Sequence, residues 1–503
     1  MELARKRRGQ GLKAKVKGAR MGTCCKVGRM FYSPSSAYIV EKVLGRGNFG
    51  EVTQCKNLLT VETVAVKQTR DSSYIEQAME EAEILRTLKE CNSDKYNIVR
   101  WNDAFTWEGC YCLEFEKLDV TLLEYMQKTD SGALQLQEIR PILQQLATAL
   151  KFLQSLKIVH GDLKPENIML VDEQRKPPRV KVIDFGLAIP ISEVYRGQIF
   201  QTLWYSVLVE PLCRAPEILL GAPFNEIIDV WSLGCIAVEM LVGQTLFPAQ
   251  DEFEMMRRIS HTLESPPNYM LMSALRSAEY FELDITGRWT SKTPPETNGC
   301  DSHVINSLHD LLVIVPFDKS TGKEIGAELN DRVRFIELIG KMLKIEPEKR
   351  ITAGQILQDP FVTMSHLHWM FVDTSYFESC VDFMESSDGP ASPEPASEGQ
   401  PSGVSRTDAP MSRRSEPKPD GLNCVERPAP DNTDPGPRKK RKKHNSSRSL
   451  KNNVKKNRSK VKCGSTLEPS HKQADLADDV HQCVSHHDLG LHSFVPVSVI
   501  KKL

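Results

Sequence analysis

Apolar and polar residues alternate in short runs from about residue 38 to residue 115. This alternation predicts β-strands, because successive side chains of a strand point to opposite faces. The predicted strands are Tyr38–Leu44, Glu51–Asn57, Val61–Gln68, Val99–Trp107 and Cys110–Phe115. Between the third and fourth strands, Tyr74–Lys89 carries apolar residues at helical spacing. We therefore expect a small antiparallel sheet with one helix.

Beyond this sheet the pattern changes to long segments with apolar residues at helical spacing. Leu136–Leu156 and Ile227–Leu241 are the clearest of them, and Ile351–Leu357 forms a last amphipathic turn. They predict a second, larger lobe that is mainly helical. The expected fold is α+β with two lobes, over residues 38–117 and 118–362.

The two ends of the chain have few large apolar residues. Residues 1–37 are expected to form a basic disordered arm, and residues 363–503 a largely disordered tail. The tail is rich in Pro, Ser, Asp, Glu and Gly, which cannot bury enough apolar surface to offset the entropy of ordering. With no signal-peptide core and no run of about 18 apolar residues, we expect a soluble intracellular protein without a membrane partner.

The charge balance and the cysteine spacing give no support for a nucleic-acid-binding protein or for a zinc protein. The 65 Lys and Arg residues are balanced by 66 Asp and Glu residues, so the overall charge does not favour nucleic acid as a bulk partner. The 13 cysteines show no metal-ligand spacing, which argues against structural zinc and for reduced thiols.

A glycine-rich turn lies between the first two predicted strands. Its G-x-G-x-x-G pattern and the valine after it comprise Gly45, Arg46, Gly47, Asn48, Phe49, Gly50 and Val52. Alone this motif is weak, because a flexible hairpin tip has the same composition. However, the next strand contains Ala65 and Lys67 on one face, beneath the turn. Lys67 can there reach nucleotide phosphates.

A half-buried ammonium needs a carboxylate to hold its position. The predicted helix offers four glutamates, namely Glu76, Glu80, Glu81 and Glu83. We select Glu81, because it leads into the apolar pair Ile84 and Leu85, whereas the others belong to a solvated helix face.

The most specific signal is the ordered series His160–Asn167, Asp184–Gly186 and Ala215–Glu217. Phosphoryl transfer requires positioning and charge neutralisation more than covalent chemistry, and these residue types supply both. A chance occurrence of the complete series in this order is negligible.

Each charged or amide residue of this series has a predicted role. Asp162 orients the attacking hydroxyl and accepts its proton, and Lys164 offsets the charge of the γ-phosphate. Asn167 and Asp184 hold the Mg²⁺ ions that bridge the phosphates of ATP.

This series is the protein-kinase signature, and the match covers about residues 38–362. The segments 139–150, 162–172 and 179–186 closely resemble the homeodomain-interacting protein kinase family of the CMGC group. The resemblance implies a serine/threonine kinase, since Lys164 is typical of that subgroup. It also implies ATP and Mg²⁺ as cofactors and a nuclear role in transcription.

The same resemblance assigns further residues. It makes Phe115 the gatekeeper beside the adenine and places the adenine on the backbone of Glu116 and Leu118. It pairs Arg350 with Glu217 and makes Asp229 the anchor of the catalytic loop. The segment from Pro266 to Asp331 corresponds to the insert of the CMGC group.

Three departures from the family pattern bear on activity. Gly161 replaces the arginine that grips an activation-loop phosphate in many kinases, although this family commonly lacks it. Ile199 stands where the family has a self-phosphorylated tyrosine. An apolar insert, residues 206–213, precedes Arg214 at the place where the substrate should dock. It reshapes that pocket, blocks it or reflects a faulty gene model.

The tail contains a basic cluster at residues 438–462, with no Asp or Glu. Such a cluster is typical of a nuclear-localisation signal or a nucleic-acid patch, and a solvated tail is the alternative. Because it contains no aromatic residue to stack on bases, we expect no sequence-specific nucleic-acid binding. We expect the nuclear import machinery as a partner and a nuclear location, with a cytoplasmic fraction left open.

The sequence thus supports two functions. The first is a nuclear serine/threonine kinase that phosphorylates protein substrates such as transcription factors or co-regulators. The second is a pseudokinase scaffold that keeps ATP and uses the altered substrate pocket as a docking surface. Intact Lys67, Asp162, Asn167 and Asp184 favour the enzyme, whereas the insert favours the scaffold.

Overall fold

Six antiparallel strands form the sheet of the first lobe. The computed structural model describes residues 26–47, 50–193, 214–292, 305–314 and 322–385. The strands are β1 (Met30–Tyr32), β2 (Ala37–Arg46), β3 (Gly50–Asn57), β4 (Thr63–Thr69), β5 (Trp101–Trp107) and β6 (Cys110–Glu116). Their order across the sheet is β1-β2-β3-β4-β6-β5. The predicted sheet is therefore present, with one additional edge strand.

One helix, α1 (Ile75–Glu90), packs on this sheet. Its buried residues recur at helical spacing, namely Glu81, Ala82, Ile84, Leu85 and Leu88. Four of these five are apolar and drive the packing, since each buried aliphatic side chain contributes about 1.5–3 kcal/mol. The remaining buried residue, Glu81, is charged and therefore needs a partner.

Strand β1 corrects the predicted limit of the disordered arm. Residues 1–37 were expected to be disordered, yet Met30–Tyr32 pairs with β2. Phe31 is buried against Tyr38 and Phe105, with ring centroids 4.9 and 6.2 Å apart. The stacked rings extend the core of the sheet, so order begins before residue 38.

The second lobe is mainly helical, as predicted. Its longer helices are α2 (Leu122–Gln127), α3 (Leu136–Ser155), α5 (Ile228–Val242), α6 (Glu252–Thr262), α7 (Asn268–Ser273), α10 (Gly322–Met342) and α13 (Ser375–Glu385). Its four-residue helices are α4 (Pro216–Leu219), α8 (Ser277–Tyr280), α9 (Leu311–Ile314), α11 (Ala353–Ile356) and α12 (Pro360–Thr363). Short strand pairs complete it, namely β7 (Ile158–Val159) with β10 (Ile189–Pro190), β8 (Ile168–Leu170) with β9 (Val180–Val182), and β11 (Phe281–Leu283) with β12 (Trp289–Ser291).

Helices α3 and α5 form the centre of this lobe. Most residues of both helices are buried, and Trp231 of α5 is fully enclosed. The hairpin β8–β9 packs beside α3 and lies between two functional loops, at residues 160–167 and 184–186. The buried helices therefore provide a rigid base for both loops. None of the helices described is both long and apolar enough to cross a membrane.

A packed segment follows residue 362, where the predicted domain ends. Helix α13 lies against α3 and α10, and its Cys380 is completely buried. The expectation of disorder from residue 363 is therefore wrong for residues 363–385. The packing joins residues far apart in sequence, which the local pattern does not show.

A buried polar group, here called the Asp331 cluster, holds this segment. It consists of Arg140, Asp331, His366 and Tyr376. The Asp331 carboxylate accepts hydrogen bonds from Arg140, from His366 Nε2 at 2.9 Å and from the Tyr376 hydroxyl at 2.8 Å. His366 Nδ1 lies 2.9 Å from the carbonyl of Pro360. Both partners of the ring are acceptors, so the imidazole satisfies both only when doubly protonated.

Several predictions concern residues outside the described ranges. They are residues 1–25 of the expected arm, the glycine-turn residues Asn48 and Phe49, the expected phosphotyrosine position Ile199, the insert 206–213, and the tail beyond residue 385 with its basic cluster 438–462.

Candidate active site

The glycine-rich turn closes over one end of β3 and β4. The Gly47 N–H donates to the Gly50 carbonyl at 2.9 Å. A Cβ atom on Gly50 would lie 1.8 Å from the carbonyl oxygen of Gln68, so this position tolerates no side chain. Gly45 has open space around it. An ion pair of 2.6 Å between Arg46 at the end of β2 and Glu51 of β3 connects the two strands that the turn joins.

Lys67 is the centre of a charged cluster beneath this turn. Its ammonium lies 2.9 Å from both carboxylate oxygens of Glu81 and 2.9 Å from Oδ1 of Asp184. Among the four glutamates considered, the structure thus places Glu81 on Lys67. Strand β4 supplies the lysine, α1 the buried glutamate and the loop after β9 the aspartate.

The cluster shifts the pKa values of its members. Burial opposes the charge of Lys67, but Asp184 and Glu81 hold the pKa of its ammonium above its ordinary value. Burial alone would raise the pKa of Asp184, yet the contact with Lys67 lowers it to about 2. Asp184 is therefore an anion at neutral pH, as a metal ligand must be.

The catalytic loop brings three predicted residues into contact. Oδ2 of Asp162 accepts hydrogen bonds from the Lys164 ammonium at 2.9 Å and from Nδ2 of Asn167 at 2.8 Å. No described residue donates to the other oxygen, Oδ1. Asp162 and Lys164 line one cavity together with Lys67 and Asp184. The loop thus presents one free carboxylate oxygen close to the Lys67 cluster.

A buried aspartate fixes the backbone of this loop. Asp229 at the start of α5 accepts hydrogen bonds from the N–H groups of His160 at 2.7 Å and Gly161 at 3.0 Å. His160 in turn contacts the carbonyl of Ile183 at 3.0 Å and packs edge-on against Phe185. Asp229 has the anchoring contacts that its family counterpart implies, and His160 links the loop to the segment at Asp184.

The predicted adenine-side residues lie on neighbouring strands. Ala65 faces Phe115 across the β4–β6 pair, and Val52 faces Lys67 across the β3–β4 pair. The N–H of Glu116 donates to the carbonyl of Arg100 at 3.0 Å and is therefore not available to a ligand. The remaining predicted contact, Leu118, is buried just after β6. The cavity shared by Lys67, Asp162, Lys164 and Asp184, here called the phosphate-end cavity, is lined by none of these five predicted residues.

The predicted pair of Arg350 with Glu217 is fully buried. Its two hydrogen bonds measure 2.7 and 2.9 Å, in the bidentate geometry that strengthens such pairs. The pair links helix α4, which contains Glu217, to the segment just before helix α11, which contains Arg350.

The site includes a polar side chain from α1 that was not predicted. Gln77 lies one turn before Glu81 on α1, and its side-chain amide donates to the carbonyl of Gly186 at 3.2 Å. The sequence could have indicated Gln77, because residues four apart on a helix lie on the same face. A polar residue on the face of the selected glutamate should therefore also reach the site.

Comparison with known proteins agrees with this geometry. The family model described as the protein kinase domain matches residues 38–362. The chain is 40% identical over 365 residues to mouse homeodomain-interacting protein kinase 1, an alignment that covers 70% of this chain and 29% of that protein. It is 36% identical over 351 residues to homeodomain-interacting protein kinase 1 of Caenorhabditis elegans, which covers 66% and 40%.

A third relative, mouse homeodomain-interacting protein kinase 4, is 34% identical over 369 residues, or 69% of this chain and 58% of that protein. The chain thus matches less than two thirds of the length of these relatives. The predicted two-lobed kinase fold is confirmed by the family match and by the sheet and helices described above. The chain belongs to the protein kinase family, and over its kinase domain it is similar to homeodomain-interacting protein kinases.

Proposed function

We propose that the protein is an ATP-dependent serine/threonine protein kinase. The observation that carries this proposal is the arrangement at the phosphate-end cavity. Lys67 there contacts both Glu81 and Asp184, while Asp162 lines the same cavity with one carboxylate oxygen free. Lys67 can therefore bind phosphates, and Asp162 at the same cavity can accept a proton from a hydroxyl group.

The chemistry follows from the free oxygen of Asp162. The substrate hydroxyl oxygen forms a bond to the γ-phosphorus of ATP, and the bond from that phosphorus to the β,γ-bridging oxygen breaks. The hydroxyl proton passes to Oδ1 of Asp162. Lys164, 2.9 Å from Oδ2 of Asp162, keeps that carboxylate oriented and offsets phosphate charge. Lys67 binds the phosphates that remain on ADP.

Two oxygen atoms fit the role of Mg²⁺ ligands. Asn167 donates to Asp162 through its nitrogen, which leaves its side-chain oxygen directed elsewhere, and Oδ2 of Asp184 has no donor among the described residues. Those residues contain no cluster of three His, Cys, Asp or Glu side chains that could hold a metal. Two protein oxygens suit Mg²⁺, which is commonly bound by few side chains together with substrate phosphates. When bound, it neutralises phosphate charge.

Three other features support serine and threonine as acceptors, transcription-related proteins as substrates and the nucleus as the location of the protein. Lys164 supports serine and threonine as acceptors, by its resemblance to that kinase subgroup. The relatives are named for interaction with homeodomain proteins, and this supports transcription-related proteins as substrates. The basic cluster 438–462 supports nuclear import.

The pseudokinase scaffold is the less well supported alternative. It depended on the insert 206–213, which lies outside the described residues. The charged groups at Lys67, Asp162 and Asp184 are arranged for transfer, and a scaffold does not need the free oxygen of Asp162.

Transfer of ³²P from ATP to a generic basic peptide containing serine and threonine tests the activity. We expect the full chain to label the peptide on these residues, and Asp162→Asn to reduce kcat at least 100-fold. The variant keeps its shape, so its thermal unfolding should match that of the wild type. Labelling that is equal in both proteins would refute the role of Asp162. ATP binding without any transfer would favour the scaffold.

The insert and the basic cluster have separate tests. Deletion of residues 206–213 should raise peptide phosphorylation if the insert obstructs the substrate pocket, and equal or lower activity would exclude obstruction. Replacement of the six basic residues at 438–443 by glutamine should move a fluorescent fusion of the full chain out of the nucleus. A nuclear signal that is unchanged would exclude this segment as the import signal.

A further inference from the structure

Two polar side chains of helix α1 contact the phosphate site. Glu81 reaches it by way of Lys67, with 2.9 Å contacts. Gln77, one turn earlier on the same face, reaches it directly by donating to the carbonyl of Gly186 at 3.2 Å. Gln77 also lines the cavity that contains Asp162 and Asp184. The helix therefore holds the backbone next to Asp184 as well as the ammonium of Lys67.

Gly186 is enclosed by the charged cluster. Its N–H donates to Oδ1 of Asp184 at 3.3 Å. A Cβ atom on Gly186 would lie 3.2 Å from Oδ1 of Asp184, 3.4 Å from Oε2 of Glu81 and 3.7 Å from Nζ of Lys67. With Gln77 on its carbonyl, both polar backbone groups of Gly186 have partners within the site. Gly186 therefore connects Gln77 to the Asp184 carboxylate through two hydrogen bonds.

Asp184 itself has a backbone conformation that needs support. Its φ of 59° lies in the left-handed region, which non-glycine residues rarely adopt. Such conformations persist where the surroundings fix them. Lys67 fixes the side chain of Asp184, whereas Gln77 fixes the peptide two residues later.

We propose that Gln77 is a positioning residue that couples the placement of α1 to the conformation of Asp184, and thereby to metal binding at Asp184. This inference rests on the proposed function, because it concerns the Mg²⁺ and ATP of that same site. Gln77 does not contact the reacting atoms in this role. It acts through Gly186.

The test compares Gln77→Met with wild type, in the full-length protein. Methionine keeps the length and helix propensity of glutamine but cannot donate a hydrogen bond. Met79→Gln is the matched control, because Met79 lies on the exposed face of the same helix. The direct readout is the rise in unfolding temperature caused by ATP as Mg²⁺ is titrated, with ATP plus a chelator as the baseline. Peptide kinetics are measured in parallel.

We expect Gln77→Met to need about fivefold more Mg²⁺ for the half-maximal rise, the factor that one net hydrogen bond supplies. Its kcat should fall by a similar factor at limiting Mg²⁺, with an unchanged KM for peptide. Met79→Gln should resemble the wild type. A lower unfolding temperature without ligand, together with an unchanged Mg²⁺ requirement, would overturn the proposal in favour of a purely structural role.

The two proposals fail in distinguishable ways. If the wild type shows the Mg²⁺-dependent rise but transfers no phosphate, the proposed function fails, while the Mg²⁺ titration still decides the role of Gln77. If the wild type shows no Mg²⁺-dependent rise at all, the positioning role is overturned.

Discussion

Replacement of Asp331 by asparagine tests the Asp331 cluster as the main attachment of the segment 363–385. The side chains of Asp331 and Arg140 are both completely buried, and the carboxylate also accepts from His366 and Tyr376. Asparagine preserves the shape but removes the charge that neutralises Arg140. Removal of one partner from a buried ion pair costs about 3–5 kcal/mol, because the other charge stays buried without compensation.

Thermal unfolding followed by circular dichroism measures this effect. For a domain of this size, about 3–5 kcal/mol corresponds to a decrease in Tm of roughly 4–7 °C. The matched control is Asp373→Asn, which breaks the exposed pair of Asp373 with Lys323. That change should leave Tm almost unchanged, because solvent screens exposed ion pairs. If both variants lose stability equally, the buried cluster does not hold the segment in the way inferred.

The stability that Asp331 contributes should also depend on pH, in a direction that its pKa determines. Burial would raise the pKa of Asp331, but Arg140 and His366 hold it below its ordinary value. A lowered carboxylate pKa stabilises the fold above the unfolded-state value of about 4, and this contribution disappears as the pH falls through the folded-state pKa. The stability difference between wild type and Asp331→Asn should therefore be present at pH 7 and shrink below about pH 4.

Three further changes have defined outcomes. Lys67→Met should lower kcat by about 100-fold or more, because one preorganised charge at the phosphates is lost, and should also lower Tm, because Glu81 stays buried without its cation; kinetic and melting measurements check this. Burial, and then the charge of Glu166, raise the pKa of Glu239 to about 7. The fold thus loses stability as pH rises from about 4.5 through 7, and Glu239→Gln should raise Tm at pH 8 but not at pH 4. Gly50→Ala should weaken ATP binding in a calorimetric titration, because its Cβ would lie 1.8 Å from a backbone oxygen and force the turn to move. An alanine variant with unchanged affinity would show that the turn is not rigid.

The sheet could be predicted from the sequence because its strands are defined by local alternation. Strand β3 was predicted as Glu51–Asn57 and is found at Gly50–Asn57. The partner of Lys67 could be selected among four glutamates because burial follows from apolar neighbours, and Glu81 precedes Ile84 and Leu85. In each case the information lies within a few residues of the element.

The remaining features depend on distant contacts. Strand β1 has only three residues and follows a basic segment, so its alternation is too short to detect, and its burial depends on Phe105. Helix α13 is held by the Asp331 cluster, in which Arg140 and Asp331 are 191 positions apart. No local pattern indicates that these charges meet. A single sequence therefore predicts the elements better than the attachments between them.

The charged residues of the site divide into buried anchors and accessible groups. Asp229 and Glu81 are 2% and 4% exposed, whereas the side chains of Asp162 and Lys164 are 26% and 20% exposed. Burial raises the pKa of Asp229, so this carboxylate costs stability, which its two backbone hydrogen bonds only partly offset. Such a cost is consistent with a group whose function is to hold the loop that carries Asp162. Asp162 and Lys164 therefore stay accessible to a substrate, and the free-energy cost of desolvation falls on the buried anchors instead.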